Sequence, residues 1–164
     1  GITTESEYIG NFYQGGVIIY VNISTGNGLV CAVSDQSTGI FWNNGSYIST
    51  GAINTAIGAG QANTTTIITV QGPGTYAALA CDNLSTNGYS DWFLPSKDEL
   101  NLIYQNRSII NSTSIANGGS SLSNVYWSSS ETHSNLSWMQ GFVTGGSAMA
   151  NKDTNYRIRA IRAF

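Results

Sequence analysis

Charge is what this chain has least of. Only 9% of its residues are Asp, Glu, Lys or Arg, against about a quarter in an average domain. Six Lys and Arg stand against nine Asp and Glu, for a net charge of -3 and a pI near 4.8. That leaves no basic field to gather phosphates, which argues against nucleic acid as a partner. There is one histidine and no Cys-x-x-Cys pair, so no metal site and no Ser-His-Asp set can be assembled, and no cofactor is expected. No apolar run approaches the roughly 20 residues that span a bilayer, and no basic-then-apolar signal opens the chain, so membrane insertion is not expected. The opening Gly1-Ile2-Thr3-Thr4-Glu5 reads as a cut or processed start, and the chain as the C-terminal module of a longer protein. Cysteine is equally scarce. Cys31 and Cys81 either form one disulfide closing a loop of about 50 residues, worth roughly 4 kcal/mol, or remain two free buried thiols.

Gly, Ser, Thr and Asn fill close to half of the sequence, so neutral hydrogen-bonding groups supply its polarity. Such a bias can signal disorder. Nine Tyr, five Phe, four Trp and a 41% hydrophobic content oppose it, and 164 residues suffice for one domain, 1–164, with a real core.

Gly16 to Val21 and Leu29 to Val33 are apolar β-formers around a Thr25-Gly26-Asn27-Gly28 turn, which predicts a buried hairpin. The stretch Ala62 to Gln71 is β-branched and favours strand by propensity. Tyr76 to Leu84 predicts a helix with Tyr76, Leu79, Ala80 and Leu84 on one face. Ser96-Lys97-Asp98-Glu99 is a capping box that opens a second helix with a stripe of Leu100, Ile103 and Tyr104. Asn106 to Asn124, rich in Ser, Asn and Gly, reads as a long surface connection. Val125 to Ser129, Ser137 to Val143 and Tyr156 to Phe164 read as strands, the last pairing near the N-terminal hairpin. Two central helices, strands at both ends and no repeated βα unit predict an α+β fold with a mostly antiparallel sheet.

Between Tyr126-Trp127-Ser128-Ser129-Ser130-Glu131 and the basic strand Tyr156 to Phe164 lies a segment that keeps neither the helix nor the strand period. Rigid flanks around an unpatterned, chemically mixed stretch point to a recognition surface. The candidate ligand-binding residues are His133, Asn135, Leu136, Trp138, Met139, Val143, Ser147, Met149, Asp153, Asn155 and Tyr156. Trp138 can stack on a ligand or pack inward, and Met139, Val143 and Met149 offer adaptable apolar contacts unless alternate members face the core. Trp92 and Trp127, embedded in patterned words, are expected in the core. Asp82, Asp91, Asp98 and Glu99 are expected as caps and turn partners rather than calcium ligands. Arg157 and Arg159 project to one face of the last strand and Arg162 to the other, so at least one is buried against Glu131, Asp98 or Asp35. An anionic ligand such as a sulfated glycan is the alternative use of these arginines.

The series Gly15-Gly16-Val17-Ile18-Ile19-Tyr20, Asn87-Gly88-Tyr89-Ser90-Asp91-Trp92-Phe93-Leu94-Pro95-Ser96-Lys97-Asp98-Glu99-Leu100, Tyr126-Trp127-Ser128-Ser129-Ser130-Glu131 and Arg159-Ala160-Ile161-Arg162-Ala163-Phe164 resembles one family. It is the C-type-lectin-like domain at the C-terminus of the Legionella collagen-like adhesin and in bacterial surface and phage tail proteins. The resemblance implies a lectin-like fold with N- and C-terminal strands adjacent, and a helix over Ala62 to Gln71. It implies a non-enzymatic module, extracellular on a bacterium or a phage tail, that binds a host cell-surface protein or glycan and forms a homo-oligomer, a trimer being one form, through its parent protein. Similar domains are targets of diversity-generating retroelements, and Thr132 to Tyr156 has the look of such a target. Sulfatase-modifying relatives of the fold are enzymes, but they depend on reactive cysteines that this chain does not place beside a base. A structural tail or filament module without a ligand is the remaining alternative.

Overall fold

The computed structural model describes residues 8–164; the reading of Gly1 to Glu5 as a cut or processed start lies outside them. Strands β1 (Phe12–Tyr13), β2 (Gly16–Asn22), β3 (Asn27–Cys31) and β4 (Ser37–Ile40) come first. Helices α1 (Gly60–Gln71), α2 (Ala77–Asp82), α3 (Lys97–Gln105) and α4 (Arg107–Ala116) fill the middle, and β5 (Val125–Glu131), β6 (Leu136–Gly141), β7 (Ser147–Asn151), β8 (Tyr156–Ile158) and β9 (Ile161–Ala163) close the chain. The fold is α+β as expected, with four helices among the described residues where two were expected. One sheet runs β1-β2-β3-β9 and the other β4-β8-β5-β6-β7; every pairing is antiparallel except β5 with β8.

The expected hairpin is β2 and β3, and β9 pairs with β3 through Leu29 opposite Ala163, joining the chain's two ends. The C-terminal stretch read as one strand is two. It leaves the larger sheet after Ile158 and enters the smaller one at Ile161. The crossing residue Arg159 is fully buried, and its guanidinium donates to Asp35 at 2.8 Å, while Arg157 reaches the same carboxylate at 3.0 Å. Of the expected partners only Asp35 is used. Arg162 turns instead to Asp91 at 2.6 Å and stacks on the Tyr89 ring at 3.9 Å.

Thr64 to Val70 is helical despite its β-branching, as the family resemblance implied. Asn63, Thr64, Ile67 and Gln71 recur at helical spacing and are all buried, and the Thr64 hydroxyl accepts from the Leu94 amide at 3.1 Å. Burial of that face outweighs a per-residue preference of a few tenths of a kcal/mol. In α2 the buried face is Ala77, Ala78 and Cys81 rather than Leu79, Ala80 and Leu84, which are only half-buried. The capping box forms, and Leu100 and Ile103 are buried along α3. The segment read as a long surface connection contains α4. Its Ser and Asn content hides a helix anchored by Ile110 and Ser114, four residues apart and both buried.

Two main core clusters result, one around Trp42, Trp92 and Trp127, the other around Val17, Phe93, Leu100, Ile103 and Tyr126. Trp92 and Trp127 are core residues, as their setting suggested. Cys31 and Cys81 are both buried and free, so the disulfide alternative is closed. Burial pushes the Cys31 thiol up to about 12 and raises Cys81 as well. Neither thiol is therefore expected to react with a thiol reagent except at the rate of unfolding, and reductant should leave the melting temperature unchanged. Both are checked by labelling kinetics with and without urea.

Candidate functional site

Strand β5 sets the stage because three consecutive serines let other backbones come close. Ser128, Ser129 and Ser130 are fully buried. The Ser128 hydroxyl donates to the Trp138 carbonyl at 2.8 Å and the Ser130 hydroxyl to the Asn54 carbonyl at 2.9 Å. The Ser129 amide donates to the Pro95 carbonyl at 2.8 Å. Larger side chains would push away both the loop before α3 and the long loop between β4 and α1.

Glu131, at the end of β5, is the electrostatic centre of the region. Its carboxylate accepts from the Thr50 amide at 2.9 Å, the Gly51 amide at 3.1 Å and the Lys152 ammonium at 2.5 Å. Both Glu131 and Lys152 side chains are essentially out of solvent. The Lys152 ammonium also donates to the Ile48 carbonyl at 3.2 Å and sits 4.4 Å from the Trp42 ring centroid. Burial lowers the lysine's pKa and the Glu131 carboxylate works against that fall. This cluster ties the β4–α1 loop, β5 and the turn after β7 into one body.

From this body project β6 and β7, in a register that sets Leu136 opposite Asn151, Trp138 opposite Met149 and Gln140 opposite Ser147. Strand alternation puts those six on one face. Gln140 is buried there and donates to Asn101 of α3 at 2.9 Å, while the Lys97 ammonium lies 4.5 Å from the Trp138 ring centroid. Met139 points the other way and packs with Ala150 and Tyr156 against the Trp127 cluster, and Tyr156 meets Trp127 edge-on at 4.9 Å.

The eleven candidate residues thus fall into separate groups. Leu136, Trp138, Ser147 and Met149 share the α3-side face of the hairpin. His133 and Asn135, in the turn before β6, and Asp153 and Asn155, in the turn after β7, are exposed together at one end. Val143 is 80% exposed in the turn at the opposite end, held by Gly145, whose φ of +89° and contact with the Tyr104 ring leave no room for a side chain. Met139 and Tyr156 are core-facing. The segment read as patternless is a regular two-stranded ladder, and its alternation is masked because small residues occupy both faces of β7.

The sequence also concealed a neighbour of the exposed end. Tyr47, Ile48 and Ile53 of the β4–α1 loop are 48%, 43% and 67% exposed. The Tyr47 hydroxyl bonds to the Asp153 carboxylate, which raises its pKa. No periodicity announces these residues; the Glu131 cluster ties their loop to the turn after β7, where Tyr47 meets Asp153. Among the described residues no three His, Cys, Asp or Glu side chains converge as a metal site, and no helix is long and apolar enough to cross a membrane.

A framework that buries its polar knots and carries a half-exposed hairpin and loops defines the class of the fold, an α+β domain of two sheets and four helices among the described residues. The family model of the Lcl C-terminal domain matches residues 31–162, and the chain belongs to that family, which fits an adhesin-like surface module. Among solved structures, a fimbrial protein from Bacteroides ovatus ATCC 8483 is similar in fold, with a TM-score of 0.55 at 16% identity over 82% of this chain. The chain spans 35% of that protein's length. A search of the curated proteins finds no match.

Replacing Lys152 by Met should strand the Glu131 carboxylate in the interior, at a cost of about 3–5 kcal/mol. Urea unfolding measures it; a loss below about 1 kcal/mol, typical of an exposed pair, would show that the cluster does not hold the region together.

Proposed function

We propose that this domain is a non-enzymatic, lectin-like binding module of adhesin type, displayed outside a bacterium or at a phage tail, that recognises a protein on a host cell surface. The observation that carries the reading is the division of labour around Glu131. The main chain of the loop and hairpin is fixed by buried bonds, while Tyr47, Ile48, Ile53, His133, Asn135 and Asp153 extend into solvent and the Tyr47 hydroxyl meets Asp153. Side chains released from core duty can change without unfolding the frame, which supports the reading of 132–156 as a diversified segment.

The chemistry of the surface favours a protein over a glycan. Exposed Tyr and Ile side chains supply apolar anchors of the kind found at protein interfaces. Trp138, the one aromatic ring on the hairpin face, has the Lys97 ammonium over it, and a sugar stacking on that side would have to displace the cation. The Lcl C-terminal family match accords with a module of this kind. Several copies carried by a parent protein would raise a weak single-site affinity through avidity.

The test compares wild type with Tyr47→Ser/Ile53→Ser and with Trp138→Ala in host-cell binding by flow cytometry and on a glycan array, with thermal unfolding as control. Loss of one anchor at the centre of an interface costs about 2 kcal/mol, or roughly thirtyfold in affinity. The loop variant is expected to lose cell binding to that extent while still unfolding cooperatively. Undiminished binding by both variants would move the site elsewhere, and no binding by wild type to any cell or glycan would favour a structural module.

A further inference from the structure

Among the described residues four strands end the two sheets, and three of them are protected against further pairing. Strand β1 is two residues long. The outer side of β9 is covered by Phe93, whose amide donates to the Ile161 carbonyl at 2.8 Å and whose carbonyl accepts from the Ile161 amide at 3.0 Å. Strand β4 carries a register break between Ser37 and Ile40. Strand β7 has none of these devices. It is five residues long, Ser147-Ala148-Met149-Ala150-Asn151, in unbroken register with β6 and without charge, proline or bulge.

The phase of the ladder shows which main-chain groups are open. The Lys152 amide donates to Asn135 at 3.0 Å and the Gly141 amide to Gly146 at 2.9 Å. Alternate residues of an antiparallel pair bond inward. Residues 146, 148, 150 and 152 therefore turn to β6, and Ser147, Met149 and Asn151 turn their amides and carbonyls outward. The Asn151 carbonyl accepts from the Thr154 amide at 3.1 Å; the other outward groups have no partner among the described residues.

We propose that a second copy of this chain pairs with β7 about a two-fold axis, Met149 opposite Met149, joining two five-stranded sheets into one of ten strands. The edge is self-complementary. Ser147 and Asn151 lie equally far from Met149, so each outward-facing residue meets an outward-facing residue of the second copy. Trp138 is the lateral neighbour of Met149, and pairing lays Trp138, Met149, Met149 and Trp138 in one apolar row that covers a methionine now 50% exposed. Asp153, the nearest exposed charge, falls opposite Gly145 of the second copy, so no like charges face each other. An isologous contact is the commonest way for identical subunits to associate. The exposed turns around His133 and Asp153 of the two copies then lie at opposite ends of the paired edge.

A single pair of five-residue edges buries less than the roughly 1,200 Å² of a stable interface, so association is weak and concentration-dependent. Sedimentation velocity of the isolated domain from about 10 μM to 1 mM, a range that brackets such affinities, should show the mean sedimentation coefficient rising toward that of a dimer. Hydrogen exchange at the Met149 amide should slow over the same range. Met149→Lys sets two ammonium groups against each other at the axis. Met149→Pro removes an amide that bonds nothing within the domain, a position where an edge strand tolerates proline. Both are expected to weaken association at least tenfold while unfolding cooperatively, whereas Val143→Lys, at the exposed turn, behaves as wild type. A wild-type domain that stays monomeric at about 1 mM, or Met149 variants that associate undiminished, would overturn the proposal. Cell binding is read on dilute domain, so either idea can fail without the other.

Discussion

The contact between Lys152 and Glu131 is the constraint on which the exposed half of the molecule depends. An ion pair taken out of water repays its desolvation only when its remaining lone pairs and protons are also satisfied. Here they are: two amides of the β4–α1 loop, a carbonyl from the same loop and the face of Trp42 complete the shell. A hydrophobic pair of equal volume can match the stability of a buried ion pair, but it would not fix where the loop's backbone goes. The loop between β4 and α1 has no regular secondary structure, so its main-chain groups depend on side chains such as Glu131 for their order.

The same logic runs through the rest of the chain's scarce charge. All six cations have structural partners. Lys152, Arg157, Arg159 and Arg162 are in ion pairs, and Lys97 and Arg107 lie over Trp138 and Tyr104. Asp35 gathers Arg157, Arg159 and the Tyr126 hydroxyl where the C-terminal strand crosses between sheets. Glu99 is buried and accepts from the Gly58, Gly60 and Ser96 amides; burial nevertheless raises its pKa above the ordinary carboxylate value. Charge here specifies geometry, and neutral groups supply the solvation.

What the sequence made legible follows from where the physics is local. The capping box at Ser96 and the hairpin of β2 and β3 depend on neighbours in the chain, and both formed as read. Helix α1 and the buried face of α2 depend on what packs against them, so propensity misjudged the first and periodicity the second. Helix α4 was invisible because Ser, Asn and Thr dominate it and only Ile110 and Ser114 meet the core. The candidate site was half legible. The turns around His133 and Asp153 are exposed, but Met139 and Tyr156 face inward, and nothing near Tyr47 in the sequence foretold its place beside Asp153.

That last gap shows how the fold separates framework from display. A ladder needs only main-chain bonds along β6 and β7 plus inward contacts at Met139, Gln140 and Ala150. The side chains of the turns at either end of the hairpin contribute little to those terms. The loop's contribution is fixed by backbone amides meeting Glu131, a bond any residue except proline can make. The main chain thereby carries the stability of this region, and the exposed side chains of the turns carry little of it. Substitutions at the exposed side chains of the turns therefore cost little stability while the buried serines and ion pairs beneath them stay as they are.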